Sequence, residues 1–162
     1  MVSGAYTGIV ASGIVRAPAQ TARHLRVRRI ASASDNYVDF YELYIRDAQG
    51  NRLIPSTGSI LPSALSGTMN NLFDNTTTTR WHSNIAAGGF VNDATTPMGY
   101  NFTFSVNVTI ASIVVYVWDS SPRLNGLRFT LLDGTNTEVW RFDSTNNGTA
   151  STNAGEANLT VL

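Results

Sequence analysis

Glu42, Asp74 and Thr79 carry the side-chain oxygens in this chain that are best placed to do chemistry. Asp74 and Thr79 lie five residues apart in Asn70-Asn-Leu-Phe-Asp-Asn-Thr-Thr-Thr-Thr-Arg-Trp-His-Ser83, a turn crowded with hydroxyls and amides. Glu42 lies in Tyr37-Val-Asp-Phe-Tyr-Glu-Leu-Tyr-Ile45, where a period of two puts Val38, Phe40 and Tyr44 on its face. A carboxylate on an apolar face must be paired, metal-bound or close to a rim, because burying it bare costs too much. Ca²⁺ takes roughly six to eight hard oxygens from carboxylates, carbonyls and hydroxyls, and these three residues with neighbouring carbonyls could supply them. Two metal-free readings stand beside that one. Asp74 and Thr79 can cap a tight turn through side-chain hydrogen bonds, and Glu42 can pair with Arg80.

The elements that must position these groups read as strands. No segment of helical length keeps apolar residues at i, i+3, i+4 and i+7; short β-branched and aromatic runs alternate with Gly, Asn, Asp, Pro and Ser. Residues 1–22 form a low-charge arm carrying Gly8-Ile9-Val10 and Gly13-Ile14-Val15, and residues 23–162 form a single domain. Strands are expected at His24–Ala31, Tyr37–Arg46, Arg52–Pro55, Gly99–Val108, Ile110–Trp118, Leu127–Leu132, Glu138–Phe142 and Leu159–Leu162. Asp133-Gly134 marks a hairpin turn. Residues 56–71 and 85–96 read as loops, and 143–156 as a low-complexity Asn/Thr/Ser/Gly segment. About eight strands with this punctuation predict an all-β fold, an antiparallel sandwich of jelly-roll type. Ile110–Trp118 is apolar on both faces, so a loop, the arm or another subunit is expected to cover the second face.

Composition narrows the function classes. The 162 residues fit one domain, with 14% charged residues and a net charge of +0, which gives no general attraction to nucleic acid. No apolar run approaches the ~20 residues of a membrane span, so no membrane insertion is expected. Met1–Gly13 lacks the positive n-region of a signal peptide, which predicts synthesis in the cytoplasm. There is no Cys, hence no disulfide framework and no thiolate chemistry. All eleven basic residues are Arg. Arg16, Arg23, Arg26, Arg28 and Arg29 cluster near the start, where they suit an acidic partner surface, an anionic glycan or plain solvation. No nucleophile elbow, zinc helix motif or phosphate loop is present, and no two strand carboxylates oppose one another as a glycosidase needs. A non-catalytic protein is expected.

Leu72-Phe-Asp-Asn-Thr-Thr-Thr-Thr-Arg-Trp81-His-Ser83 resembles the Ala/Leu-x-Asp-Gly-x-x-x-Thr-x-Trp signature of discoidin-like (coagulation factor 5/8 type C) domains, which belong to the galactose-binding β-sandwich class. Arg23-His-Leu-Arg-Val-Arg28 and Tyr37–Arg46 resemble two strands of the same family. The likeness covers residues 23–83 well and 97–142 loosely. Asn75 stands where the family has Gly, and the Glu-bearing strand precedes the Asp motif. The resemblance implies a buried Trp81 and a structural Ca²⁺ held by Asp74, Thr79 and Glu42, with carbonyls near Asn71 and Thr76. It implies sugar contacts from loop residues, for which Arg80, His82 and Arg123 are the candidates. Bacteriophage tail and virion proteins often carry this variant. The expected function is a multicopy virion structural protein, a tail or capsid-decorating component located on the phage particle. It would assemble with other virion proteins and with copies of itself, and attach to host-surface glycans. Arg16, Arg26, Arg28, Ile9, Val10 and Ile14 are its candidate interface. A dedicated carbohydrate-binding adhesin is the alternative.

Overall fold

The computed structural model describes residues 19–30, 37–84, 98–117, 126–144 and 155–160. The described residues form ten strands: β1 (Gln20–Arg29), β2 (Asp39–Arg46), β3 (Thr57–Leu61), β4 (Ala64–Ser66), β5 (Trp81–Ser83), β6 (Gly99–Ile110), β7 (Ser112–Val117), β8 (Leu127–Leu132), β9 (Glu138–Asp143) and β10 (Gly155–Thr160). They form two five-stranded antiparallel sheets, ordered β3-β6-β1-β8-β9 and β10-β7-β2-β5-β4. The chain changes sheet at every connection except β4–β5 and β8–β9. That is the expected all-β sandwich.

Alternation explains the core. Leu25 and Val27 of β1 are fully buried while Arg26 between them is exposed. Phe102 and Phe104 of β6 and Phe129 and Leu131 of β8 continue the same inner face. Phe40 of the opposite sheet stacks on Phe129 at 6.1 Å and meets Tyr100 at 4.9 Å, so large rings bridge the two layers. Each such side chain contributes about 1.5–3 kcal/mol by leaving water. Trp81 is 5% exposed and packs on Tyr100, as expected. At Gly99, φ is +142° and a Cβ would sit 2.0 Å from the Val27 carbonyl, so only glycine admits this close pairing of β6 with β1.

Four expectations need correction. Residues 56–71 are not loop throughout: they contain β3, β4 and a 3-10 turn at Met69–Leu72. β3 is a sheet edge with its first three residues exposed, so it needs neither an apolar face nor β-branched residues. Arg52–Pro55 is not a strand; Arg52 makes one isolated bridge to Arg46, and Leu53 donates to the Ile45 carbonyl at 2.7 Å. β1 begins at Gln20, with Ala22 already buried, ahead of the boundary expected after residue 22. Finally, a bulge between Phe40 and Glu42 resets the alternation of β2. Phe40, Leu43 and Ile45 are fully buried in the core, while Glu42 and Tyr44 pair with Tyr116 and Val114 on the other face. Glu42 therefore does not share a face with Phe40.

The same register explains the doubly apolar strand. Ile113 and Val115 of β7 are buried between the sheets, whereas Val114 and Tyr116 are half-buried on the outer face. Tyr44 lies edge-on to Tyr116 at 5.9 Å. Part of the cover is local: the Arg52 guanidinium stands 4.4 Å over the Tyr44 ring and that of Arg46 at 5.3 Å. The arm residues Ile9, Val10, Ile14 and Arg16, and also Trp118 and Arg123, lie outside the described residues, as does most of 143–156.

Candidate functional site

The bulge in β2 carries Glu42 to the outer face, and the chain after β2 folds back over it. The turn at 47–50 is set by Asp47, whose Oδ1 accepts the N–H groups of Gln49 at 2.9 Å and Asn51 at 2.8 Å. It delivers Arg52 directly onto Glu42. Arg52 Nη2 forms a short ion pair with Glu42 Oε1 and lies 3.3 Å from each of the Leu43 and Leu72 carbonyls. Arg52 Nη1 donates to the Asn75 side-chain carbonyl. The Glu42 side chain is fully buried. Burial pushes its carboxyl up from its ordinary value, and the Arg52 hydrogen bond pulls it back.

The Asp74 turn supplies the second half. Asn75 has φ +64°, a left-handed conformation that Asn tolerates, so it replaces the glycine of the resembled signature without loss of the turn. Asp74 Oδ1 accepts the Thr76 N–H at 3.1 Å and Oδ2 accepts the Thr79 hydroxyl at 2.5 Å. Thr79 Oγ1 is 3.5 Å from the Asn71 carbonyl. The Asn71 side chain turns away to accept from Thr68, at 2.8 Å from its N–H. The Thr76 N–H is shared with Glu42 Oε2 at 3.2 Å, which ties the two carboxylates into one network.

Asp74, Thr79, Glu42, Asn71 and Thr76 are thus brought together. Only Glu42 among them meets a cation, the Arg52 guanidinium, while Asp74, Thr76, Thr79 and Asn71 bond one another, and that arrangement does not fit Ca²⁺ in the same place. The cation facing Glu42 is already Arg52, and among the described residues no three His, Cys, Asp or Glu side chains converge as a metal cluster would require. The alternative pairing of Glu42 with Arg80 does not form either. Arg80 Nη1 bonds Asp39 Oδ2 at 3.1 Å, because β5 pairs with β2 at Asp39 and Phe40, short of Glu42. His82 is buried beside Tyr37 with ring centroids 4.5 Å apart, and Arg80 is partly exposed.

Arg52 and Asp39 were the residues missed by sequence reasoning. A hairpin count across Asp47–Gly50 brings Arg52 back alongside the end of β2, so the signal for Arg52 was the spacing. Asp39 had none, because its burial depends on the β2–β5 pairing.

A second polar surface lies on the outer face of the other sheet. β1 sits between β6 and β8, and its register puts Arg28 opposite Gly99 and Arg128, Arg26 opposite Asn101 and Thr130, and His24 opposite Thr103 and Leu132. A groove of about 410 Å³ runs here, lined by His24, Arg26, Arg28, Asn101, Thr103 and Asn136 among others. Arg28 is pinned by the Val27 and Tyr100 carbonyls at 2.8 Å and by Asn101 Oδ1 at 2.5 Å. Burial, with Arg26 alongside, lowers its guanidinium to about 10, still cationic at neutral pH. His24 bonds Thr103 at 3.0 Å and is held below its ordinary value by burial and by Arg23 and Arg26. Arg128 is neutralised by Asp143 through two bonds of 2.6 and 2.7 Å. Exposed Arg26 has no hydrogen bond or ion pair among the described residues.

The carboxylates give a pH dependence with a definite sign. Asp143 is held below its ordinary 3.8 by Arg128, Asp133 by Thr135, and Asp47 by Asn51. For each, the unfolded chain binds the proton first as pH falls, so their stabilisation is present above about pH 3.8 and is lost on passing through the lower folded values. Glu42 has the opposite sign: its folded value is raised, so its effect favours the native state as pH falls toward the ordinary 4.5. The melting temperature is expected to change little from pH 7 to 5 and to drop below about pH 4. Asp143→Asn should melt below wild type at neutral pH and converge with it in acid below the ordinary 3.8, once Asp143 itself is protonated. A set of thermal melts across pH checks both statements.

Set against family models, curated proteins and solved structures, the chain matches none. Among the described residues, no helix is long and apolar enough to cross a membrane.

Proposed function

We propose that this chain is a non-catalytic assembly protein of a phage particle, present in many copies, whose Arg-bearing sheet face docks on an acidic surface of a neighbouring virion protein. The observation that carries this reading is Arg26: an exposed guanidinium without a hydrogen-bond or ion-pair partner among the described residues, beside a second cation held rigid by Asn101 and two carbonyls. Carboxylates neutralise Arg52, Arg80 and Arg128, whereas Arg26 is exposed and Arg28 beside it keeps its charge with only neutral hydrogen-bond partners. Planar guanidinium groups on a rigid sheet suit bidentate contact with carboxylates. The discoidin-like resemblance of residues 70–83 supports the phage setting.

Attachment to host glycans is the second reading, favoured by one observation. The groove beside Arg26 is lined by Asn101, Thr103, His24 and Asn136, whose amide, hydroxyl and imidazole groups suit sugar hydroxyls. Multivalency on the particle would then raise a weak single-site affinity.

Arg26→Glu discriminates the readings. Self-association or capture of a purified virion neighbour, followed by light scattering, should weaken at least tenfold in the variant and weaken with salt in wild type. Unchanged assembly overturns the docking face. On a glycan array, retention of wild type and its loss in Arg26→Glu would favour the second reading instead.

A further inference from the structure

His24, Arg26 and Arg28 form one outward row on β1, alternating with the buried Leu25 and Val27. At the rise of an extended strand, successive positions in the row are about 6.7 Å apart and the whole row spans about 13 Å. All three side chains line the same groove. The two sides of the row differ in charge. On the β8–β9 side, the carboxylates of Asp143 and Glu138 are taken by Arg128 and Arg141, at 2.6 and 3.7 Å. On the β6–β3 side, the positions opposite the row are Asn101 and Thr103, followed by Ser59 and Thr57, and none is charged. The groove draws its lining from this neutral side, through Asn101 and Thr103, and not from β8. Countercharge for Arg26 and Arg28 must therefore come from outside the seam.

We propose, resting on the docking face inferred above and naming its ligand, that this row reads an extended acidic segment of the neighbouring protein, with a carboxylate at every second residue, laid along the seam between β1 and β6. An extended chain repeats its side chains with the same two-residue period as β1, so alternate carboxylates meet successive row positions in register. Consecutive acids do not, because every second one points away from the sheet. Exposed Arg26 can take a carboxylate through two parallel bonds. Arg28 is already fixed by Asn101 Oδ1 and two carbonyls, so binding costs it little freedom. His24 is the third position. Burial, Arg23 and Arg26 hold its imidazole below the ordinary 6.5, against the opposite pull of Asp133 in the adjoining turn. A ligand carboxylate above the ring favours its charged form.

The test is fluorescence anisotropy with two labelled peptides of equal composition, Asp-Thr-Asp-Thr-Asp and Thr-Asp-Asp-Asp-Thr, each flanked by glycine, at about 50 mM salt. The alternating peptide should bind at least about fivefold tighter than the clustered one. Arg26→Gln, a change at an exposed position that should keep the wild-type melting temperature, should weaken the alternating peptide about tenfold and erase the preference. Followed by NMR and assigned with His24→Gln, the His24 titration should move upward when the alternating peptide is bound; an unmoved titration removes His24 from the row. Equal affinity for the two peptides overturns the row while leaving the docking face intact. Binding of neither peptide, or binding that survives Arg26→Gln, also overturns the row, and the assembly of Arg26→Glu then shows whether the docking face falls with it. Tighter binding of a polyuronate than of the alternating peptide overturns a protein ligand.

Discussion

Tyr100→Ala should remove about 3–5 kcal/mol of folding stability, a fall in melting temperature of roughly 6–20 °C. Tyr100 is fully buried on β6, and its ring packs on Phe40 at 4.9 Å, Trp81 at 5.2 Å and Phe102 at 5.7 Å. Its hydroxyl crosses to the opposite sheet, donates to the Trp81 carbonyl and accepts the Phe40 N–H at 3.2 Å. The Val38 carbonyl is a further acceptor at 3.3 Å. One side chain therefore fastens β6 to both β2 and β5. β5 is only three residues long, with β2 and β4 each meeting it at two positions, so the cross-sheet tie adds to a short ladder. Tyr100→Phe separates the contributions. It keeps the ring and leaves the carbonyl of Trp81 unsatisfied in the interior, at a cost of about 1–3 kcal/mol. Urea denaturation with an unchanged m-value would assign both losses to native-state stability.

The parts of this fold legible in the sequence are those where alternation meets two buried neighbours. Leu25 and Val27 face inward and Arg26 outward because β1 lies in the middle of its sheet, covered on one face only. The β8–β9 hairpin was legible from Asp133-Gly134, and the Asp133 carboxylate does organise it, accepting the N–H groups of Thr135 and Thr137 at 2.8 and 2.9 Å. Trp81 was legible from its size. β3 and β4 were not, since edge strands rich in Ser and Gly have no periodic demand on their sequence. Nor was the Phe40–Glu42 bulge, which moves the carboxylate to the other face by adding one residue. The site divides the same way. Asp74 and Thr79 were legible because their contact is local, an Asx-type turn closed at 2.5 Å. Glu42 was identified as needing a partner, while the partner's identity depended on how the chain returns after Gly50.

That return makes Glu42→Ala the second large effect, near 3 kcal/mol and at the lower end for a broken buried pair. The Arg52 side chain is 18% exposed, so water can reach part of the abandoned guanidinium and reduce the penalty. The Thr76 N–H loses Glu42 but keeps Asp74 Oδ1 at 3.1 Å, so no donor is orphaned there. The loss should fall mainly on the charge itself. Glu42→Met combined with Arg52→Met then tests this reasoning. The pair sits against Tyr44 and Phe73, with the guanidinium 4.4 and 5.5 Å from their rings, so two apolar side chains can pack where two charges were. The double variant should be more stable than either single variant, with a favourable coupling between the two sites of about 1–3 kcal/mol in a four-protein cycle by urea denaturation. The coupling should also survive high salt, since Glu42 is wholly out of contact with solvent. A double variant as unstable as the two single losses added together would mean that Glu42 and Arg52 act independently. The turn at residues 72–80 would then be held by its own hydrogen bonds, with no cation required to close it over β2.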